Sequence, residues 1–75
     1  MKDREVDLVI LDETGHHQER TMLKTLVKEK VMAPWRTVLV NGESCKTWDD
    51  VLTACERTPR EEMPVVASLL QVVGG

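Results

Sequence analysis

The sequence predicts a single small α+β domain, and three observations carry that expectation. Apolar, β-branched runs at Val6–Leu11, Thr37–Val40 and Val65–Val73 have strand composition. Between them, Thr21–Met32 and the stretch opened by Thr47 space their apolar residues as helices do. A chain of 75 residues makes one domain, spanning residues 1–73 ahead of a Gly74-Gly75 tail.

Taken in order, Val6-Asp7-Leu8-Val9-Ile10-Leu11 suits a strand that is covered on both sides or lies centrally in a sheet. Asp12-Glu13-Thr14-Gly15 carries turn chemistry, with Gly15 free to take positive φ. A weak hairpin partner follows through His16–Arg20. From Thr21 to Met32 the residues Met22, Leu23, Leu26, Val27 and Val31 form one apolar stripe, which predicts the main helix, ended by Pro34. Thr37–Val40 is a short strand, and Asn41-Gly42 is a strong hairpin signal leading into a brief return through Lys46. Thr47, with Asp50 three residues on, predicts a capped short helix whose face is Trp48, Val51, Leu52 and Cys55. The last third reads two ways. Thr58-Pro59-Arg60-Glu61 has the form of a helix start, whereas Val65–Val73 has strand composition once Pro64 is a boundary; composition favours the strand.

The totals exclude several classes. A chain this short buries only about 60% of its surface and has little volume to wall an active site, which argues against a self-sufficient enzyme. Ten basic and 13 acidic residues give a net charge of −3, opposite to what a nucleic-acid binder needs. No apolar run reaches membrane-spanning length, and Met1-Lys2-Asp3-Arg4-Glu5 is too charged to open a signal peptide, so a cytoplasmic location with no membrane partner is expected. Cys45 and Cys55 then read as reduced thiols without metal spacing. Tyr and Phe are absent, so Val, Leu, Ile, Met and two Trp must build the core.

Three constellations carry little chemistry. Leu8-Val9-Ile10-Leu11-Asp12-Glu13 resembles a Walker B strand, but the glycine-rich phosphate loop with its Lys is missing. The same stretch resembles the phospho-accepting strand of receiver domains, whose doubly wound sheet is too large for this chain. His16 and His17 are adjacent and point apart on a strand or a helix, which disfavours joint chelation. Cys45 beside Ser44 lacks a marked base to activate it. No metal and no cofactor are expected.

The fourth constellation is Gln71-Val72-Val73-Gly74-Gly75. A tail without side chains threads a narrow channel, and no Cβ obstructs attack on an activated Gly75 carbonyl. With Val38-Leu39-Val40-Asn41-Gly42-Glu43, Thr47-Trp48-Asp49-Asp50-Val51-Leu52 and Val65–Gly75, the chain resembles the ubiquitin-like superfamily. That resemblance implies a β-grasp: a mixed sheet packed on one main helix. It also implies activation at Gly75, with Gly74, by an ATP-using enzyme, then transfer to an acceptor protein as a covalent modifier or sulfur carrier. Val72-Val73 before the glycines is more similar to the sulfur-carrier proteins than to ubiquitin, which has Arg there. Leu39, Leu70, Val72 and Val73 are the candidate partner-docking residues. The alternative is a non-covalent interaction module or assembly subunit in which the diglycine is incidental.

Overall fold

The β-branched run at the start of the chain becomes β1 (Glu5–Asp12), the strand on which the sheet is assembled. The computed structural model describes residues 3–70, and it is an α+β fold with one five-stranded mixed sheet and one main helix. β2 (Gly15–Met22) returns antiparallel to β1 through eight consecutive residue pairs. β3 (Arg36–Val40) and β4 (Glu43–Cys45) form a second antiparallel hairpin, and β5 (Val65–Leu70) runs between the two, parallel to β1 and antiparallel to β3. The resulting order is β2-β1-β5-β3-β4.

The main helix is not where the apolar spacing predicted it. Within Thr21–Met32 only a single 3₁₀ turn, Leu23–Thr25, and the four-residue α1, Lys28–Val31, are helical. Thr21 and Met22 instead extend β2 opposite Val6 and Glu5. Local side chains then take the groups an α-helix would need. The Thr25 hydroxyl donates to the Met22 carbonyl at 2.6 Å, and the Lys24 N–H donates to the Asp3 carboxylate at 2.9 Å. The presumed stripe divides accordingly: Leu23 and Val31 are buried, whereas Met22 and Val27 are 41% and 46% exposed.

The ten-residue helix is α2, Trp48–Arg57. Its capping box forms as expected, the Thr47 hydroxyl accepting the Asp50 N–H while the Asp50 carboxylate accepts the Thr47 N–H. Val51 and Cys55 face inward with no exposed surface, and Trp48 and Leu52 pack beside them. Thr58 ends this helix rather than starting another; its N–H donates to the Cys55 carbonyl, and Pro59–Glu62 closes a turn. Pro64 bounds β5 as expected; strand residues predicted at 71–73 lie outside the described part.

Asn41 (φ 52°) and Gly42 (φ 87°) both take the left-handed conformation, which gives the two-residue turn the twist of its strands. Val6, Leu8, Leu23, Val31, Val38, Val40, Cys45, Val51, Cys55 and Val66 make one core. Ser68 is fully buried within it, donating to the Val31 carbonyl at 2.7 Å. Among the described residues no buried side-chain polar atom lacks a partner, and no helix is long and apolar enough to cross a membrane.

Candidate functional site

Side chains alternate between the two faces of a strand, so the register sorts the sheet. Val6, Leu8, Val66, Ser68, Val38 and Val40 occupy the core face, beneath α2 and Val31. The intervening residues Val9, Leu11, Val65, Ala67, Leu69 and Leu39 therefore share the opposite face. Leu11 is 41% and Val65 37% exposed, and the other four are half-buried. The result is an apolar strip across the three central strands, with polar groups at its edge such as the Gln18 side chain donating to Asp7 at 2.8 Å. Beyond the strip, Trp35 is 59% exposed immediately before β3, near the end where β5 leaves the sheet. An exposed aromatic beside an apolar strip is the composition of a protein-docking surface.

The residues singled out from sequence do not all meet there. Leu39 lies on the open face opposite Ala67, but Leu70 pairs with Arg36 on the core-face side. Those two leucines do not form one patch. Arg36 instead ties down the exit end of β5, its guanidinium donating to the carbonyls of Leu11 and Ser68 at 3.2 Å each. Val72, Val73, Gly74 and Gly75 lie outside the described residues.

The acidic turn is structural. The Asp12 carboxylate accepts from the Thr14 hydroxyl at 2.6 Å and the Thr14 N–H at 2.8 Å. These two bonds, the hydroxyl first, hold its pKa below the usual aspartate value. His16 and His17 point to opposite faces of β2, and no group of three or more metal-binding side chains assembles among the described residues. Burial pushes the Cys55 thiol up to about 11 and raises Cys45 as well, which disfavours the thiolate form of both.

Charged and imidazole side chains line two of the recesses among the described residues. One of about 330 Å³ is lined by Asp3, Arg4, Glu56 and Arg60. Its Arg4 guanidinium is already committed, donating to the carbonyls of Cys55 (2.9 Å), Thr58 (2.7 Å), Pro59 (3.1 Å) and Glu62 (2.6 Å). It is a bolt between β1 and the end of α2, not an anion receptor. Another, about 530 Å³, is an open groove along the first hairpin lined by Leu8, Ile10, His16, His17, Gln18 and Glu19.

Sequence reasoning missed the open-face strip. The apolar run of β1 was compatible with two covered faces, and only the register shows that one is bare. Period-two sorting of β5 against β1 was the available signal. Arg4 had none, since its partners lie 51 to 58 residues away. In comparison with known proteins, no family model, no curated protein and no solved structure matches this chain.

Proposed function

We propose that this chain is a ubiquitin-like protein of β-grasp architecture, activated at Gly75 by an ATP-dependent enzyme and acting as a covalent modifier or sulfur carrier. The observation that supports it most is the sheet, ordered β2-β1-β5-β3-β4 about a parallel central pair, which is consistent with a β-grasp-like arrangement. One feature departs from that pattern: the longer helix follows β4 rather than β2. The diglycine stands four positions beyond Leu70, the last residue of central strand β5. In this reading a carboxylate oxygen of Gly75 attacks the α-phosphorus of ATP and pyrophosphate leaves. A sulfur donor or a lysine amine of the acceptor then displaces AMP from the acyl-adenylate. The chain itself contributes the tail and a docking face, and ATP belongs to the activating enzyme. The open strip of Leu11, Val65, Ala67, Leu69 and Leu39 is the surface on which that enzyme would seat. The reading assigns the protein to the cytoplasm, with protein partners rather than nucleic acid or membrane.

Intact-mass measurement after incubation with ATP and an extract of the producing cells tests it. The expected product is an adenylate, a thiocarboxylate or a conjugate at Gly75, abolished when Gly75 is deleted. A second reading, a non-covalent interaction module, draws on the same exposed Trp35 and apolar strip. An unchanged mass in every extract, with full partner binding by a tail-deleted chain, would select the module and exclude the carrier.

A further inference from the structure

The two edges of the sheet are unequal. β4 offers three residues, whereas β2 offers eight in unbroken register. β2 contains no Pro, no Lys and no bulge, and the charges among the devices that usually stop an edge strand from accepting another are limited to Glu19 and Arg20, of opposite sign.

Which of its main-chain groups are free follows from the ladder. Asp7 donates its N–H to the Pro64 carbonyl, so the odd-numbered residues of β1 bond toward β5. The even-numbered ones therefore bond toward β2, and the Leu23 N–H donating to the Arg4 carbonyl at 2.7 Å continues that series. Their partners are Gly15, His17, Glu19 and Thr21. The N–H and C=O of His16, Gln18 and Arg20 consequently aim outward from the sheet, with no hydrogen bond among the described residues.

Charge selects the occupant and its register. Suppose β2 meets β2 of a second copy, antiparallel, with both helices on the same side of a continuous sheet. Centring the pair on Glu19 sets two glutamates face to face, and centring it on Arg20 sets two arginines face to face. Centring it on Gln18 does neither. Gln18 then bonds to Gln18, His16 to Arg20, and every outward group of these residues is used. In the close, non-bonded positions His17 stands opposite Glu19, twice.

We propose that β2 is a self-association edge, and that two copies join through antiparallel β2–β2 pairing centred on Gln18, with reciprocal His17–Glu19 contacts. This pairing does not depend on the tail or on its activation. It is tested on the full chain by sedimentation equilibrium and amide hydrogen exchange across concentration, up to about 1 mM. The expected result is a monomer–dimer equilibrium in which the His16, Gln18 and Arg20 amides gain protection with concentration. The His17 and Glu19 amides, already bonded to β1, should not change. Gln18→Pro removes a central outward N–H without touching the β1 ladder and should abolish the dimer. Glu19→Lys should weaken it by about tenfold, and adding His17→Glu should restore it by reversing the pair. Should Gln18→Pro fail to fold, the Glu19→Lys variant and its restoration decide alone. A chain that stays monomeric with concentration-independent exchange overturns the proposal and leaves this edge to a strand from a different protein. A dimer insensitive to these variants overturns it equally, because the contact would then lie on the open face.

Discussion

The two hairpins solve the same geometric problem with different neighbours. Both use two-residue loops, Glu13-Thr14 and Asn41-Gly42. The first is held by its own Asp12–Thr14 hydrogen bonds and leads into a strand that is exposed along nearly its whole length. The second is fastened to distant parts of the chain. Asn41 donates its side-chain N–H to the Thr58 hydroxyl, while its Oδ1 accepts the Val65 N–H and its own N–H reaches the Val65 carbonyl, each at 2.9 Å. α2 then packs over β3 and β4, whereas in the β1–β2 hairpin only β1 reaches the core, through Val6 and Leu8, and β2 is exposed. The β3–β4–α2 half is therefore fastened by a covering helix and by side-chain bonds to distant residues, whereas the exposed strand β2 lies in the other half.

Arg4 joins the halves, and removing it should produce the largest change. Arg4→Ala deletes four donations to carbonyls at and beyond the C-terminal end of α2, where a cation also opposes the helix dipole. The expected loss is about 2–4 kcal/mol, which thermal unfolding would register as roughly 10–20 °C at this size. Arg4→Lys should recover less than half, because an ammonium cannot span four acceptors with a planar fork. If Arg4→Ala melts within about 2 °C of the parent, the halves are joined by packing alone.

Asn41→Gly comes next. Glycine keeps the left-handed turn and loses only the side-chain fastening, so the cost should be about 1–2 kcal/mol by denaturant titration. Asn41→Asp keeps the acceptor for the Val65 N–H and loses the donation to Thr58. Its cost should fall below that of glycine. Equal costs would mean that the Thr58 contact, lost in both variants, carries the fastening.

How far the sequence foretold this asymmetry differs by region. Asn41-Gly42 and Thr47–Asp50 were legible because their chemistry is local: left-handed φ and a capping box need only neighbours within three residues. β5 was legible for the described residues Val65–Leu70, where an apolar run bounded by Pro64 agrees with a strand paired to both β1 and β3. Thr21–Met32 misled, because helical spacing of apolar residues says nothing about competing sheet pairs or about Asp3 taking the Lys24 N–H. β2 was underestimated for the same reason. Its polar residues have little strand propensity, and β1 supplies the template. The open-face strip was hidden because which face of a central strand is covered depends on where the helices land.

Alkaline titration separates the halves by a different route. Cys55 lies in the covered half, and burial raises its pKa from 9.0 to about 11. The folded state thus holds a proton that the unfolded chain releases first, so stability is full below about pH 9 and declines as the pH climbs toward 11. Melting temperatures measured across that window should fall, and Cys55→Ala should flatten the fall while lowering the starting value through the small cavity it leaves. An unchanged slope in Cys55→Ala would assign the alkaline loss to other groups.

Leu11→Ser should have the smallest effect on stability and is the sharpest probe of the open half. Leu11 lies on the uncovered face at 41% exposure, whereas Val51 on the inward side of α2 has none. Removing an exposed leucine returns little area to water, so the expected change is within about 0.5 kcal/mol. Val51→Ala, by contrast, should lose about 1.5–3 kcal/mol of burial. If the strip seats a partner, Leu11→Ser must weaken that contact while leaving folding intact, a combination no core variant gives. A large destabilisation by Leu11→Ser, comparable to that of Val51→Ala, would mean that the strip is part of the core and that the two halves are not divided between stability and contact.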